Sequence, residues 1–389
     1  MIASLWRRAG VLGAVCLLLA ACSGAPAQDQ SLRATIAALQ TKVAAGPSPT
    51  PASELVARAD AYLAPLAKSG DFSGAVLLSR GYGLASAEHD VPNGPRTKFR
   101  LASITKTFTA AAILKLQQQG RLSVKDSVCK YLPDCPAAWR PVAIEHLLAH
   151  TSGIPDPTTC AGCPRPPIRA AMTIEQVVQT LTRFYADAPL DSPPGATFVY
   201  SNQGYGLLGY VVERASGQRY EEYLRANIFD PLGMRDTGQD HDSLILKGRA
   251  TGYSTVNVLA DYSPIDLAYA AGGLYSTVED LYRWDQALYG DQVLPQDLRD
   301  AMFAPHAHAS GADGDYDYGY GWHISSRAGR PALWHRGALP GFRSILVRFP
   351  ADRATVIVLG NIETMDPDTV ADKLAEIIFA SKPSPSPGT

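Results

Sequence analysis

The stretch RLASITKTFTA, residues 100–110, sets a serine and a lysine three positions apart where a helical pattern begins. The run that follows, as far as Gly120, is rich in Ala, Leu, Lys and Gln, and it stops at a glycine as helix C-termini do. On a helix, side chains three apart share a face with Cβ atoms about 5–6 Å from each other, so Ser103 and Lys106 are neighbours. A serine hydroxyl is a poor nucleophile until its proton is removed. A lysine can help only if burial lowers its pKa from about 10.4. Ile104 and Phe108 offer apolar surroundings for that amine. A serine at a helix start also holds an attacked carbonyl near free backbone N–H groups and the positive end of the helix dipole.

The four-residue pattern alone is weak, because SVCK at Ser127–Lys130 matches it and reads as a cap with a surface lysine. The first match has company. YSN follows at Tyr200–Asn202 and HRG at His335–Gly337, the latter within a β-rich run. Helices are predicted over Ile144–Ala149, Ile174–Tyr185, Gly204–Ala215, Tyr220–Ile228, Val278–Leu288 and Thr369–Ala380. YGYGWHISS, RPALWHRG, RSILVRF and ATVIVLGNI read as consecutive antiparallel strands joined by turn residues. With a strand near residue 75, the expected fold is α/β (α+β): an antiparallel sheet flanked by helices, with the final helix on one face, beside an all-helical lobe.

These motifs, together with IEHLLAHTSGIPD, PLDSPPGATFVYSNQGYGLLGYVVERASG, IFDPLGMRDTG and YAAGGLYSTVEDLYRW, resemble the serine β-lactamase-related family. That family includes class C β-lactamases, D-alanyl-D-alanine carboxypeptidases and family VIII esterases. The resemblance spans most of residues 70–365 and implies a β-lactamase/transpeptidase-like fold. It implies Ser103 as the acylated nucleophile, Lys106 as its activator and Tyr200 as general base and later proton donor. Asn202, His335, Gly337 and Ala338 would bind substrate, with the N–H groups of Ser103 and Ala338 as an oxyanion hole. The lactamase form has lysine where His335 stands, so the resemblance points to an esterase or D,D-peptidase rather than an efficient β-lactamase. The one Lys-x-Gly, Lys68–Gly70, precedes the serine and is out of order. Before Gly81-Tyr82-Gly83 the family usually has two strands, and here there is room for one.

The reading is thus a serine acyl-hydrolase acting on an ester, a D-amino-acid peptide or a β-lactam-like carbonyl, without cofactor or metal. The rival from another class is an envelope protein that binds penicillin or cell-wall fragments without turning them over. The 389 residues carry 35 Lys and Arg against 37 Asp and Glu, a net charge of −2, so nucleic acid is not an expected partner. A small-molecule or peptide substrate fits, and the oligomeric state is left open. No Gly-x-Ser-x-Gly elbow occurs. His146 and His150 lie four apart, but Leu147 replaces the glutamate of a metalloprotease motif, and His150 reads as satisfying a buried hydrogen bond. HAH at 306–308 and DGDYD at 313–317 read as a solvated surface loop.

Arg7 and Arg8 precede an apolar run too short to span a bilayer. It ends in LAAC, residues 19–22, which resembles the lipobox of bacterial lipoproteins. Residues 1–21 are then a signal peptide, and Cys22 is the lipidated mature N-terminus anchoring the chain to the cell envelope. In a Gram-negative organism Ser23 directs it to the outer membrane, facing the periplasm. Cleavage after APA at 25–27 is the alternative, and it would discard Cys22. Residues 22–53 form a low-complexity tether, 54–380 the hydrolase domain, and 381–389 a disordered tail. Cys129, Cys135, Cys160 and Cys163 allow three pairings. Closure of short loops favours Cys129–Cys135 with Cys160–Cys163.

Overall fold

The computed structural model describes residues 52–80, 93–156, 165–311 and 314–380. All of these fall in one compact unit, Pro51–Thr389. Its sheet has seven antiparallel strands: β1 (Gly74–Arg80), then five elements late in the chain, β8 (Gly314–Tyr318), β9 (His323–Arg327), β10 (Arg330–Leu339), β11 (Phe342–Phe349) and β12 (Ala354–Gly360), with β7 (Ala307–Gly311) at one edge. The order across the sheet is β1-β12-β11-β10-β9-β8-β7. The four strands read from sequence are β9 to β12, and each pairs with the next. Ala328 and Gly329 make the two-residue turn between β9 and β10, both with positive φ (+47° and +72°), the geometry that matches strand twist in a tight hairpin.

Two helices cover one sheet face. Leu55 and Leu63 of α1 (Ala52–Ser69) and Leu374 and Ile378 of α10 (Pro367–Phe379) pack with Trp334, Val347 and Val356 of the strands. The opposite face carries α2 (Thr105–Gln118) and the helical lobe: α3 (Ile144–Leu148), α4 (Ile174–Phe184), α5 (Asn202–Ser216), α6 (Tyr220–Leu224), α7 (Tyr269–Gly272), α8 (Val278–Ala287) and α9 (Gln296–Phe303). Every residue of α2 from Thr105 to Leu114 is buried. A helix enclosed on all sides belongs to the core of a domain rather than its rim. Phe108 meets the Phe229 ring edge-on and lies tilted against Trp284 there.

Several expectations are corrected. Residues 307–311 and 314–317 are strand rather than loop: β7 and β8 pair from Ala307↔Tyr318 to Gly311↔Gly314, and His308 contacts Asp315 and Asp317 across them. The helix expected over Tyr220–Ile228 is α only to Leu224 and continues as a π turn, Arg225–Phe229. Helix α1 had no counterpart in the reading, and it takes Ala52 and Ser53 from the proposed tether. The Cys129–Cys135 disulfide is present, whereas Cys160 and Cys163 lie outside the described residues, as do Cys22, residues 81–92 and the C-terminal tail.

One buried ion pair ties the two sides of the sheet's helical face together. Arg348 of β11 donates through Nε to Asp285 of α8, and Thr355 of β12 donates to the other carboxylate oxygen at 2.6 Å. Both charges are almost wholly enclosed, with Tyr289, Phe303 and Trp322 around the guanidinium. Removing one partner strands the other charge. Asp285→Ala is expected to lower unfolding free energy by about 3–5 kcal/mol in a urea titration, while the double replacement Asp285→Leu/Arg348→Met falls well short of that loss.

Candidate active site

Ser103 stands where β2 (Phe99–Arg100) gives way to α2 through one turn of 3-10 helix, Ala102–Ile104. Ala102 turns the chain with φ +49°, a left-handed conformation that costs a non-glycine residue about 1–2 kcal/mol. The turn is held from both sides: Leu101 N–H donates to Leu274 O (2.8 Å) and Leu101 O accepts from Ser344 Oγ (2.9 Å). Strand β10 presses against the same peptide. A Cβ on Gly337 would lie 2.2 Å from Leu101 O and 2.6 Å from Ser344 Oγ, so only glycine permits this approach. It brings the exposed Ala338 and Ser103 to one cleft.

Lys106, one turn on, is fully buried. Its Nζ lies 2.8 Å from Asn202 Oδ1, 2.8 Å from Ala271 O and 3.2 Å from Ser103 Oγ. The amide oxygen and the carbonyl can only accept, so they take two N–H bonds and leave the third direction of the nitrogen to Ser103. Burial pulls the amine well below its ordinary pKa, against a smaller upward pull from the Asp156 carboxylate. The rings of Tyr200 and Tyr205, 4.7 and 5.5 Å away, favour the cation, but desolvation prevails. Asp156 itself accepts from Ser201 Oγ (2.7 Å) and Gln203 N–H (3.2 Å) at the start of α5, where a negative charge meets the helix dipole.

Tyr200 faces Ser103, whose hydroxyl draws its phenol down, but burial outweighs this and pushes the phenol well above the usual range. Asn202 is exposed on the cleft while its side-chain oxygen holds Lys106. His335 differs from its expected place. It is 1% exposed, with Nδ1 2.7 Å from Arg336 O and Nε2 3.1 Å from the Tyr318 hydroxyl. Burial first, and the charge of Lys106 second, pull it down to about 3, so the ring is neutral and sits behind the cleft wall. His150 is likewise buried, Nδ1 accepting from Ser201 N–H at 3.0 Å, while His146 turns its Nδ1 to Ala143 N–H. Ser127 caps a short 3-10 turn, and Lys130 pairs with Asp126 at the surface.

The sequence reading missed Ala271 and Tyr318. Ala271 acts through a backbone carbonyl that no residue type announces, and Tyr318 opens the YGYGWHISS run read as a strand, where no motif singles out its hydroxyl.

The cleft beside Ser103 encloses about 900 Å³. Helix α5 lines it with Asn202, Gly206 and Glu213, one face some 16 Å long at about 1.5 Å per residue. Ile168, Met172, Val177 and Leu181 form an apolar wall, and Glu213, Glu221, His241 and Asp266 lie toward its polar part. His241 contacts Glu221 at 2.9 Å and Asp266 at 2.7 Å; burial opposes its charge, but the two carboxylates outweigh that and raise its pKa.

A family model described as Beta-lactamase matches residues 73–380. Penicillin-binding protein 4* of Bacillus subtilis is 31% identical over 77% of this chain and 70% of its own. Among solved structures, a penicillin-binding protein from Bacillus halodurans superposes with a TM-score of 0.68 at 27% identity, over 82% of this chain and all of the other. D-amino acid amidase from Ochrobactrum anthropi SV3 gives 0.71 at 25% identity, over 83% and 98%. With the sheet, the helical lobe and the juxtaposed Ser103, Lys106 and Tyr200 in agreement, the chain belongs to the beta-lactamase family of serine hydrolases.

Proposed function

We propose that the chain is a serine acyl-hydrolase working through an acyl-enzyme on Ser103, with an ester or a D-amino-acid peptide or amide as substrate. The observation that carries this reading is the buried Lys106 amine, its third direction facing the serine hydroxyl. Desolvation favours the uncharged form of both flanking groups, which makes the amine a base and the phenol an acid. Ser103 Oγ passes its proton to Lys106 Nζ as it bonds the substrate carbonyl carbon. The N–H groups of Ser103 and Ala338 meet the developing oxyanion. Tyr200 then protonates the leaving group as the scissile bond breaks and recovers a proton from the Lys106 ammonium. Water repeats the sequence on the acyl-enzyme and frees the serine.

The neutral, fully engaged His335 leaves that position without a cation for a substrate carboxylate, which supports esters and amides over β-lactams. A D-amino acid amidase among the similar structures supports the amide class. The relative named a penicillin-binding protein supports a second reading, acylation without turnover. A chromogenic ester separates the two: steady release after the burst marks a hydrolase, and a stoichiometric burst alone marks a binder. We further propose that lipidation of Cys22 anchors the chain in the cell envelope, where cell-wall peptides or lipid-like esters are at hand.

Ser103→Ala is expected to abolish labelling by a fluorophosphonate, whereas Ser127→Ala keeps it; labelling of Ser103→Ala contradicts the assignment. Lys106 must be neutral to accept a proton, and its pKa is depressed, so kcat/KM is full above that depressed value and falls as pH drops through it. Lys106→Arg, which keeps a charge but cannot take a proton, should cost about 10²–10⁴ in rate; a variant at near-normal rate would assign the base elsewhere. Wild-type chain should incorporate labelled palmitate and partition with membranes, and Cys22→Ala should do neither; a mature chain starting at Gln28 removes the anchor.

A further inference from the structure

Four hydrogen bonds cross the site behind the cleft. Ser201 N–H lies 3.0 Å from His150 Nδ1, and His150 Nε2 lies 3.3 Å from the Tyr318 oxygen. That oxygen is 3.1 Å from His335 Nε2, and His335 Nδ1 is 2.7 Å from Arg336 O. The two ends fix every proton between them. A backbone N–H only donates, so His150 Nδ1 carries a lone pair; a carbonyl only accepts, so His335 Nδ1 carries a hydrogen. Both rings are buried and neutral. His150 therefore has its hydrogen on Nε2 and donates it to Tyr318, while His335 has a lone pair on Nε2 and receives the Tyr318 hydrogen. Reversing His150 sets donor against donor at Ser201 N–H, and reversing His335 sets lone pair against lone pair at Arg336 O.

We infer that His150 and Tyr318 are positioning residues, a directional brace that ends on the Nδ1–H form of His335 and holds the Tyr200–Asn202 wall in register with the strand carrying Ala338. The inference rests on the acyl-transfer reading for its catalytic consequence, though not for its proton order. One end of the brace is the peptide N–H between Tyr200 and Asn202, and the other is the carbonyl two residues before Ala338. His150 adopts φ +60°, a left-handed conformation that a histidine keeps only when its surroundings impose it. The groups facing these rings are Lys106, Arg336, His323 and the phenols of Tyr200, Tyr205 and Tyr316. Tyr205 gives its own hydrogen to Leu148 O at 2.8 Å, so its oxygen is the competing acceptor for Tyr318.

The test is long-range ¹H–¹⁵N correlation on the full chain labelled at histidine, with kinetics on Tyr318→Phe. The wild-type chain is expected to show His150 protonated at Nε2 and His335 at Nδ1, neither titrating between about pH 5.5 and 8. Tyr318→Phe keeps the ring packing and removes the hydroxyl. It should leave the His335 Nδ1–H, which the Arg336 carbonyl fixes, in place, shift the His335 Nε2 resonance as that lone pair loses its donor, and lower kcat about tenfold to a hundredfold with KM little changed, as small misplacements of reacting groups do. A wild-type His335 protonated at Nε2, or one whose Nε2 resonance is unmoved in Tyr318→Phe because Tyr318 donates to Tyr205, overturns the brace. The wild-type spectrum decides the order even if the variant fails to fold. Loss of fluorophosphonate labelling in the wild-type chain overturns the acyl-transfer reading instead, and the spectra still judge the brace.

Discussion

The enclosure of a single amine governs this molecule's chemistry. Lys106 reaches its position because α2 is buried on every side, and an ammonium there loses most of its hydration. Two fixed acceptors, one from α5 and one from α7, orient the nitrogen without supplying a countercharge in direct contact. The carboxylate that acts on it, Asp156, is engaged at the start of α5. The site thus keeps a lysine available as a base while meeting most of its hydrogen-bonding needs, a balance that an adjacent ion pair would upset.

Backbone conformation shows where the fold accepts strain to make that arrangement. Left-handed φ angles occur at Ala102, His150 and Tyr269. Ala102 aims the serine, His150 receives Ser201 N–H, and Tyr269 opens the short helix whose Ala271 carbonyl holds the lysine. Each is a non-glycine residue in a sparsely populated region, and each lies within the constellation around Ser103. Such local costs persist where packing over-determines the chain.

Legibility followed the physics of each element. Helix α2 was readable because its composition and terminal glycine agree with its state, and β9 to β12 because alternation and turn residues coincide. The β7–β8 hairpin was not, since AHASG and GDYDY carry the Ser, Gly and Asp of a loop and are strands only because they pair with each other and with β9. Helix α1 contains Pro65 and follows a Pro-rich run, so its sequence carries no helix signal, though its apolar stripe packs against α10. Ser103, Lys106 and Tyr200 were visible as motifs. Ala271 O, Ser201 N–H and Arg336 O, which orient their partners, belong to the backbone, and no residue type encodes them.

The placement of α1 has a mechanical consequence. It lies with α10 on the sheet face opposite α2, so the chain enters the folded unit on the side away from Ser103. Tension applied at the N-terminal end loads α1 first, then α10 and β12, and reaches the cleft only through the sheet's hydrogen-bonded width. Those two helices form a shock-absorbing layer that can yield before the distances among Ser103, Lys106 and Asn202 change.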